Sequence, residues 1–204
     1  MEGRLYVIGM GPGSGEMMTP QAARALERCQ VIAGYTVYVE LLKERYPQAE
    51  FLTTPMTREE ERCRMALKRA AQGAQTAMVC SGDAGVYGMA GLILELAQEY
   101  PGVAVEIISG ITAACAGAAI LGAPLMHDFA VISLSDRLTA LELIWKRVEL
   151  AAQGDFVICL YNPASRTRKD YLARACRLIG QYRSPETVSY THLRAHETRR
   201  HIVC

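Results

Sequence analysis

The sequence has no CxxC pair among its seven cysteines and almost no charge of either sign to spare, with 22 basic against 21 acidic side chains in 204 residues. Scattered thiols in a chain of this length exclude a small disulfide-stapled scaffold, and free thiols suit a reducing cytoplasm. Balanced charge excludes a protein whose main business is gripping a phosphate backbone, so no nucleic-acid partner is expected. No secretory signal is expected either, because Glu2 and the glycines from Gly9 to Gly15 break the apolar stretch that one needs. Internal repeats and low-complexity tracts are absent. What is present, half apolar residues and 21% charged, is the composition of an ordinary globular protein.

One uncharged run, residues 107–125, has the length of a membrane span. Its alanine and glycine content, with Gly110, Gly117, Gly122 and Pro124, gives it little drive to insert. A strand, a turn and a tightly packed helix are expected there, and no membrane partner.

The charge is unevenly spread. Residues 188–204 hold three of the four histidines and carry a formal charge of +2, leaving −1 for the rest. This tail lacks the apolar periodicity of the remainder, and VSYTHLRAHET reads as a translated cloning adapter to be set aside from fold reasoning. His192 and His196, four apart, have no third ligand in register, so no metal site is expected.

Short apolar runs alternate with helical spacing in a βα rhythm, which predicts an α/β fold with mainly parallel sheets. Strands are expected at 5–8, 31–33, 76–80, 103–108, 130–134 and 156–160. Thr19 before Pro20 opens a first helix with a capping hydroxyl and a proline in the first turn. Thr57 with Glu60 predicts a capping box for a helix reaching Ala71, and Thr139 with Glu142 caps another from about Leu138 to Gln153. Further helices are expected at 89–100, 113–121 and 170–179. GAPLMHDF interrupts both periodicities and marks a domain boundary, dividing the chain into 1–121, an incomplete second α/β domain at 122–187, and the tail at 188–204.

Three small-residue loops follow predicted strand ends, where ligands bind in open α/β sheets. GMGPGSG is too rich in glycine for stability alone, yet it is not the dinucleotide fingerprint: Ser14 stands at the place of the third glycine, and Pro12 has no amide for a pyrophosphate. SGDAGVYG places Asp83 where its carboxylate can bind a ribose or amine on a ligand, or cap the next helix. SGITA offers Thr112 as a helix cap or a binding hydroxyl, and YNPASRTR sets Tyr161, Asn162 and cations after a later strand. His127 with Asp128 is either a proton-transfer pair or a polar hinge, and Asp136 with Arg137 is either a capping pair or a partner for substrate carboxylates.

GMGPG, SGDAGVYGMAG, GITAA, LGAPLMHDFAVISLSDRLT and DFVICLYNPASRTR, in this order across residues 4–186, resemble the class III tetrapyrrole methyltransferases, and most of all the ring-contracting branch of corrin biosynthesis. The resemblance implies two α/β domains with a cleft between them, S-adenosylmethionine as cofactor, a tetrapyrrole substrate, and a cytoplasmic homodimer. It implies that Pro12, Ser81, Gly82, Asp83, Val86, Thr112, Ala113 and Asn162 hold the cofactor. Our expectation is that Arg137, Arg166 and Arg168 hold the carboxylate-rich substrate, and that Tyr87, His127, Asp128 and Asp83 are the candidate catalytic groups. The sequence departs from the family at Ser109, where proline is usual, at Ala140 and Leu141, where proline and tryptophan are usual, and after Glu186. Competing readings are another tetrapyrrole methyltransferase, a nucleotide-binding oxidoreductase, or an inert fragment.

Overall fold

The computed structural model describes residues 3–13, 15–165 and 168–184. Its described residues form two compact units that divide between Ala113 and Ala114, eight residues before the boundary expected from GAPLMHDF.

The first unit is built on five parallel strands: β1 (Arg4–Gly9), β2 (Val31–Tyr35), β3 (Glu50–Thr54), β4 (Gln75–Cys80) and β5 (Ala104–Ile108). Their order is β3-β2-β4-β1-β5. The strands connect through α1 (Pro20–Arg28), α2 (Thr36–Glu40), α3 (Glu59–Ala71) and α4 (Ala90–Leu96). Side chains alternate across β1, so Tyr6 and Ile8 pack with Ala22, Leu26 and Val39 from α1 and α2. Leu5 and Val7 pack with Cys63, Leu67 and Ile93 from α3 and α4 on the other face. Burial on both faces is why β1 and β4 read as unbroken apolar runs.

Helix α1 starts as expected, with the Thr19 hydroxyl accepting the Ala22 amide at 3.2 Å and Pro20 in the first turn. The capping box at Thr57 and Glu60 does not form. Thr57 has φ +76°, its amide donates to the Glu59 carboxylate, and α3 begins at Glu59 with three glutamates near the positive end of its dipole. The structure adds α2 and β3, which the sequence reading leaves unassigned. Both are five residues long, too short for periodicity to register. The helix expected at 89–100 is α4 followed by a 3₁₀ turn over Ala97–Glu99.

The second unit contains α5 (Ala113–Ile120) from Ala114 onward, the parallel pair β6 (Phe129–Ser133) and β7 (Val157–Tyr161), and helices α6 (Leu141–Gln153) and α7 (Tyr171–Ile179). Its core is Ile132, Leu134, Ile144, Trp145, Val148, Ala151 and Ala175. Trp145 is enclosed by the Tyr171 ring at 5.5 Å and the Arg174 guanidinium at 4.4 Å. Helix α6 begins at Leu141 behind Ala140, without a side-chain cap, so the Thr139 and Glu142 pair does not act as a capping box either. The run 107–125 is the end of β5, a turn, an eight-residue helix and a loop. Among the described residues no helix is long and apolar enough to cross a membrane.

Candidate active site

The strand order places β1 between β4 and β5, so the loops that follow these three strands meet. The connections after β1 and β4 depart to opposite faces, which makes this the topological switch point of the sheet. All three loops expected to carry chemistry in the first unit converge there.

Main chain joins them. The Gly11 amide donates to the Gly82 carbonyl at 3.0 Å, and the Gly82 amide returns a bond to Gly11 at 2.9 Å. Gly82 has φ +67°, a conformation that L side chains rarely adopt. A Cβ on Gly110 would overlap the Gly82 carbonyl, so only glycine permits the β4 and β5 loops to approach this closely. Thr112 and Ala113 lie beside Gly82.

Asp83 organises the cluster. Its Oδ1 accepts the amides of Gly85 at 2.8 Å and Val86 at 3.1 Å, while Oδ2 accepts the Gly110 amide at 2.9 Å. Three charge-assisted bonds leave this carboxylate little capacity for a ligand or for proton transfer. Of the two roles the sequence left open, the geometry supplies an anchoring one, directed at turn amides and at a neighbouring loop. Ser81 hydrogen-bonds to Tyr38, whose phenol burial pushes above its ordinary range. Pro12 and Val86 are half-buried; Tyr87 is exposed, with φ +54°. In the sequence Gly110 is one small residue of the uncharged run and the SGITA loop, and its role is visible only once β5 is placed beside β1.

The charge inventory tests a cofactor. Residues 10–19, 81–89 and 109–113 contain no lysine or arginine, and their two acids are Glu16 and Asp83. The Arg45 guanidinium lies against Gly15 of the loop after β1, but Pro12 has no amide for a pyrophosphate and the Gly11 amide is already engaged. A sulfonium attached to an adenosine fits a half-buried cradle of amides, carbonyls and small side chains. Among the described residues no group of three or more potential metal-ligating His, Cys, Asp or Glu side chains occurs.

In the second unit the loops after β6 and β7 also meet. Asn162, at φ +52°, donates from Nδ2 to Ser133 Oγ at 3.0 Å, and the Tyr161 hydroxyl accepts the Ala114 amide at 2.9 Å. Asp136 pairs with Arg168 at 3.5 Å, rather than with its neighbour Arg137, and accepts the Tyr171 hydroxyl at 2.8 Å. Arg168 also donates from Nε to Ser165 at 3.1 Å. That network holds the Asp136 carboxyl below its usual range, with the Tyr171 bond as the leading cause. Arg137, His127 and Asp128 are exposed in loops. Arg166 and the tail histidines His192 and His196 lie outside the described residues.

The comparisons agree with this geometry. The chain is 49% identical over 184 residues to a probable cobalt-factor III C(17)-methyltransferase of Salmonella typhimurium, covering 90% of this chain and 76% of that protein. It is 47% identical to the cobalt-factor III methyltransferase of Priestia megaterium, spanning 92% of this chain but 36% of that longer protein. A precorrin-3B C(17)-methyltransferase of a Sinorhizobium species is 44% identical, over 88% of this chain and 72% of the other. Among solved structures, the methyltransferase CobJ superposes with a TM-score of 0.84 at 38% identity, covering 90% of this chain and 77% of CobJ. A uroporphyrin-III C-methyl transferase from Thermus thermophilus, complexed with S-adenyl homocysteine, superposes with a TM-score of 0.51 at 29% identity, over 64% of this chain and 59% of that one. Residues 4–193 match the profile of the Tetrapyrrole (Corrin/Porphyrin) Methylases, and with these relatives this places the chain in the tetrapyrrole methylase family.

Proposed function

We propose that this chain transfers a methyl group from S-adenosylmethionine to carbon 17 of precorrin-3B or cobalt-factor III, with ring contraction, in cobalamin biosynthesis. The observation that carries the reading is the 49% identity to a probable cobalt-factor III C(17)-methyltransferase over 90% of the chain, joined to a strand-end cradle of glycine loops at the switch point of the sheet. Relatives bearing the cobalt-factor and the precorrin names match at 49% and 44%, so the reading covers both substrates.

When bound, the sulfonium supplies an electrophilic methyl group without any covalent enzyme intermediate. The chain's part is alignment. Gly82, Thr112 and Ala113 offer main chain at close range, Asp83 fixes the loop that carries Val86, and Pro12 closes the side toward β1. Holding reactants in line contributes up to about 7–11 kcal/mol in well-oriented systems, which is why a site of this kind needs few charges. Asn162 is a cofactor-binding residue on sequence grounds alone. Arg137 binds a substrate carboxylate, and Arg168, already engaged with Asp136 and Ser165, holds the adjoining loop. Arg166 joins them as a substrate cation on sequence grounds alone. Tyr87, His127 and Asp128 serve the proton transfers of ring contraction. The active form in this reading is a cytoplasmic homodimer.

Calorimetric titration with S-adenosylhomocysteine and with NADH separates the alternatives. Heat from S-adenosylhomocysteine alone is expected. Heat from NADH alone would replace the methyltransferase with an oxidoreductase, and silence from both would leave an inert fragment. Incubation with S-adenosylmethionine and the tetrapyrrole then locates the added methyl by NMR, and a position other than carbon 17 overturns the finer assignment.

A further inference from the structure

Arg62 is 5% exposed, yet no acid lies within ion-pair distance of it among the described residues. Arginine is seldom buried this deeply without a counter-charge, because the desolvation of a guanidinium is costly. All its hydrogen bonds leave from one nitrogen: Nη1 donates to Thr54 Oγ1 at 2.6 Å, to the Thr54 carbonyl at 3.3 Å and to the Pro55 carbonyl at 3.4 Å. These contacts tether the end of β3 to the first turn of α3. They leave Nε and Nη2 with no acceptor among the described residues, and neither is a sealed orphan atom. A tether needs one nitrogen; the opposite edge of the fork is unexplained by it.

The guanidinium sits at the functional end of the sheet. Thr54 is the last residue of β3, and the Arg62 charge acts on Tyr38, Cys63 and Cys80. Tyr38 in turn bonds to Ser81, which opens the loop after β4. The Nε–Nη2 edge of a guanidinium matches a carboxylate in a bidentate arrangement, and burial strengthens such a pair relative to one in water. The Nη1 tether fixes the fork in advance, so little side-chain entropy is lost when an anion arrives.

We propose that Arg62 receives a side-chain carboxylate of the tetrapyrrole substrate through its Nε–Nη2 edge; the assignment rests on the methyltransferase reading above. It makes Arg62 a substrate-binding residue at the end of β3, with β2 between that strand and β4, the nearest strand of the cradle.

The test uses uroporphyrin, a tetrapyrrole bearing eight carboxylates, titrated by fluorescence into the wild-type chain, Arg62→Lys and Arg62→Gln, with S-adenosylhomocysteine calorimetry on the same samples. Arg62→Gln is expected to weaken porphyrin binding roughly 10- to 100-fold, as loss of a charged hydrogen-bond pair does, and Arg62→Lys less, with S-adenosylhomocysteine affinity unchanged in both. Equal porphyrin affinity in all three proteins overturns the assignment alone. Parallel loss of both ligands in the variants marks a structural tether and also overturns it. A wild-type chain that binds no S-adenosylhomocysteine overturns the methyltransferase reading itself. Should the variants fail to fold, the Arg62 Nε–H resonance of the ¹⁵N-labelled wild-type chain gives the answer: it shifts on adding uroporphyrin if the fork is the receptor, and an unmoved resonance refutes the assignment.

Discussion

The Gly110 amide donates to Asp83 Oδ2 at 2.9 Å, joining residues 27 apart in sequence. The bond ties the loop after β4 to the loop after β5, over the end of β1 that lies between them. Removing the carboxylate therefore loosens two walls of the site together. Asp83→Asn keeps an oxygen for Gly85 and Val86 but presents an NH₂ group to the Gly110 amide, a donor facing a donor. We expect a loss of about 1–3 kcal/mol of stability by urea unfolding, and weaker S-adenosylhomocysteine binding by calorimetry. Wild-type values for both would show that the loops hold their positions without the anchor.

Glycine matters at Gly110 for close approach, not for flexibility. Gly110→Ala would drive a Cβ into the Gly82 carbonyl and is expected to cost about 2–4 kcal/mol, as other backbone-displacing substitutions do. Gly91 is the control. It lies in α4 with open space where a Cβ would stand, and Gly91→Ala should stabilise the chain by up to about 1 kcal/mol through helix propensity. Thermal melts of the two variants moving in the same direction would refute this contrast.

Thiol reactivity should follow burial. Burial pushes Cys29 and Cys63 up to about 12, and Cys80 up to about 11 despite the Met89 amide that its sulfur accepts. Cys115 and Cys176 are exposed. With iodoacetamide at pH 8 on the folded chain, peptide mass mapping should find Cys115 and Cys176 alkylated first and the three buried thiols only after denaturation. Early labelling of Cys80 would mean that the loop after β4 opens readily.

The second unit carries its own pH response. The Tyr171 hydroxyl and the Arg168 and Arg137 charges hold the Asp136 carboxyl below its ordinary value, so the group titrates lower in the folded chain than in the unfolded one. Its contribution is then fully present above the unfolded value and is lost as pH falls through the folded value. Trp145, the single tryptophan, packs against Tyr171 and reports on this unit by fluorescence. Asp136→Asn should unfold earlier in denaturant than wild type at pH 7, and the two should converge as pH drops through the carboxylate range. A stability gap that is constant from pH 7 to pH 3 would remove Asp136 from the acid response.

Local chemistry alone settled a good part of this protein. The βα rhythm, the Thr19 cap with Pro20, and the glycine loops at strand ends are legible because each depends on residues within a few positions of one another. The five ordered motifs placed the chain in its family for the same reason. Cap signals were weaker guides: Thr57 and Glu60 have the right spacing, but the chain turns through a left-handed residue there and the Arg62 tether to Thr54 sets where α3 begins. Strand order was beyond the reach of any window. Parallel strands joined by helices obey the same local pattern whichever neighbours they take, so nothing near Asp83 in sequence says that Gly110 lies across β1, and nothing near Arg62 says that its fork remains open. Those relationships exist only when β4, β1 and β5 stand side by side and α3 packs over the end of β3, because a hydrogen bond acts over about 3 Å of space regardless of the length of chain between its partners.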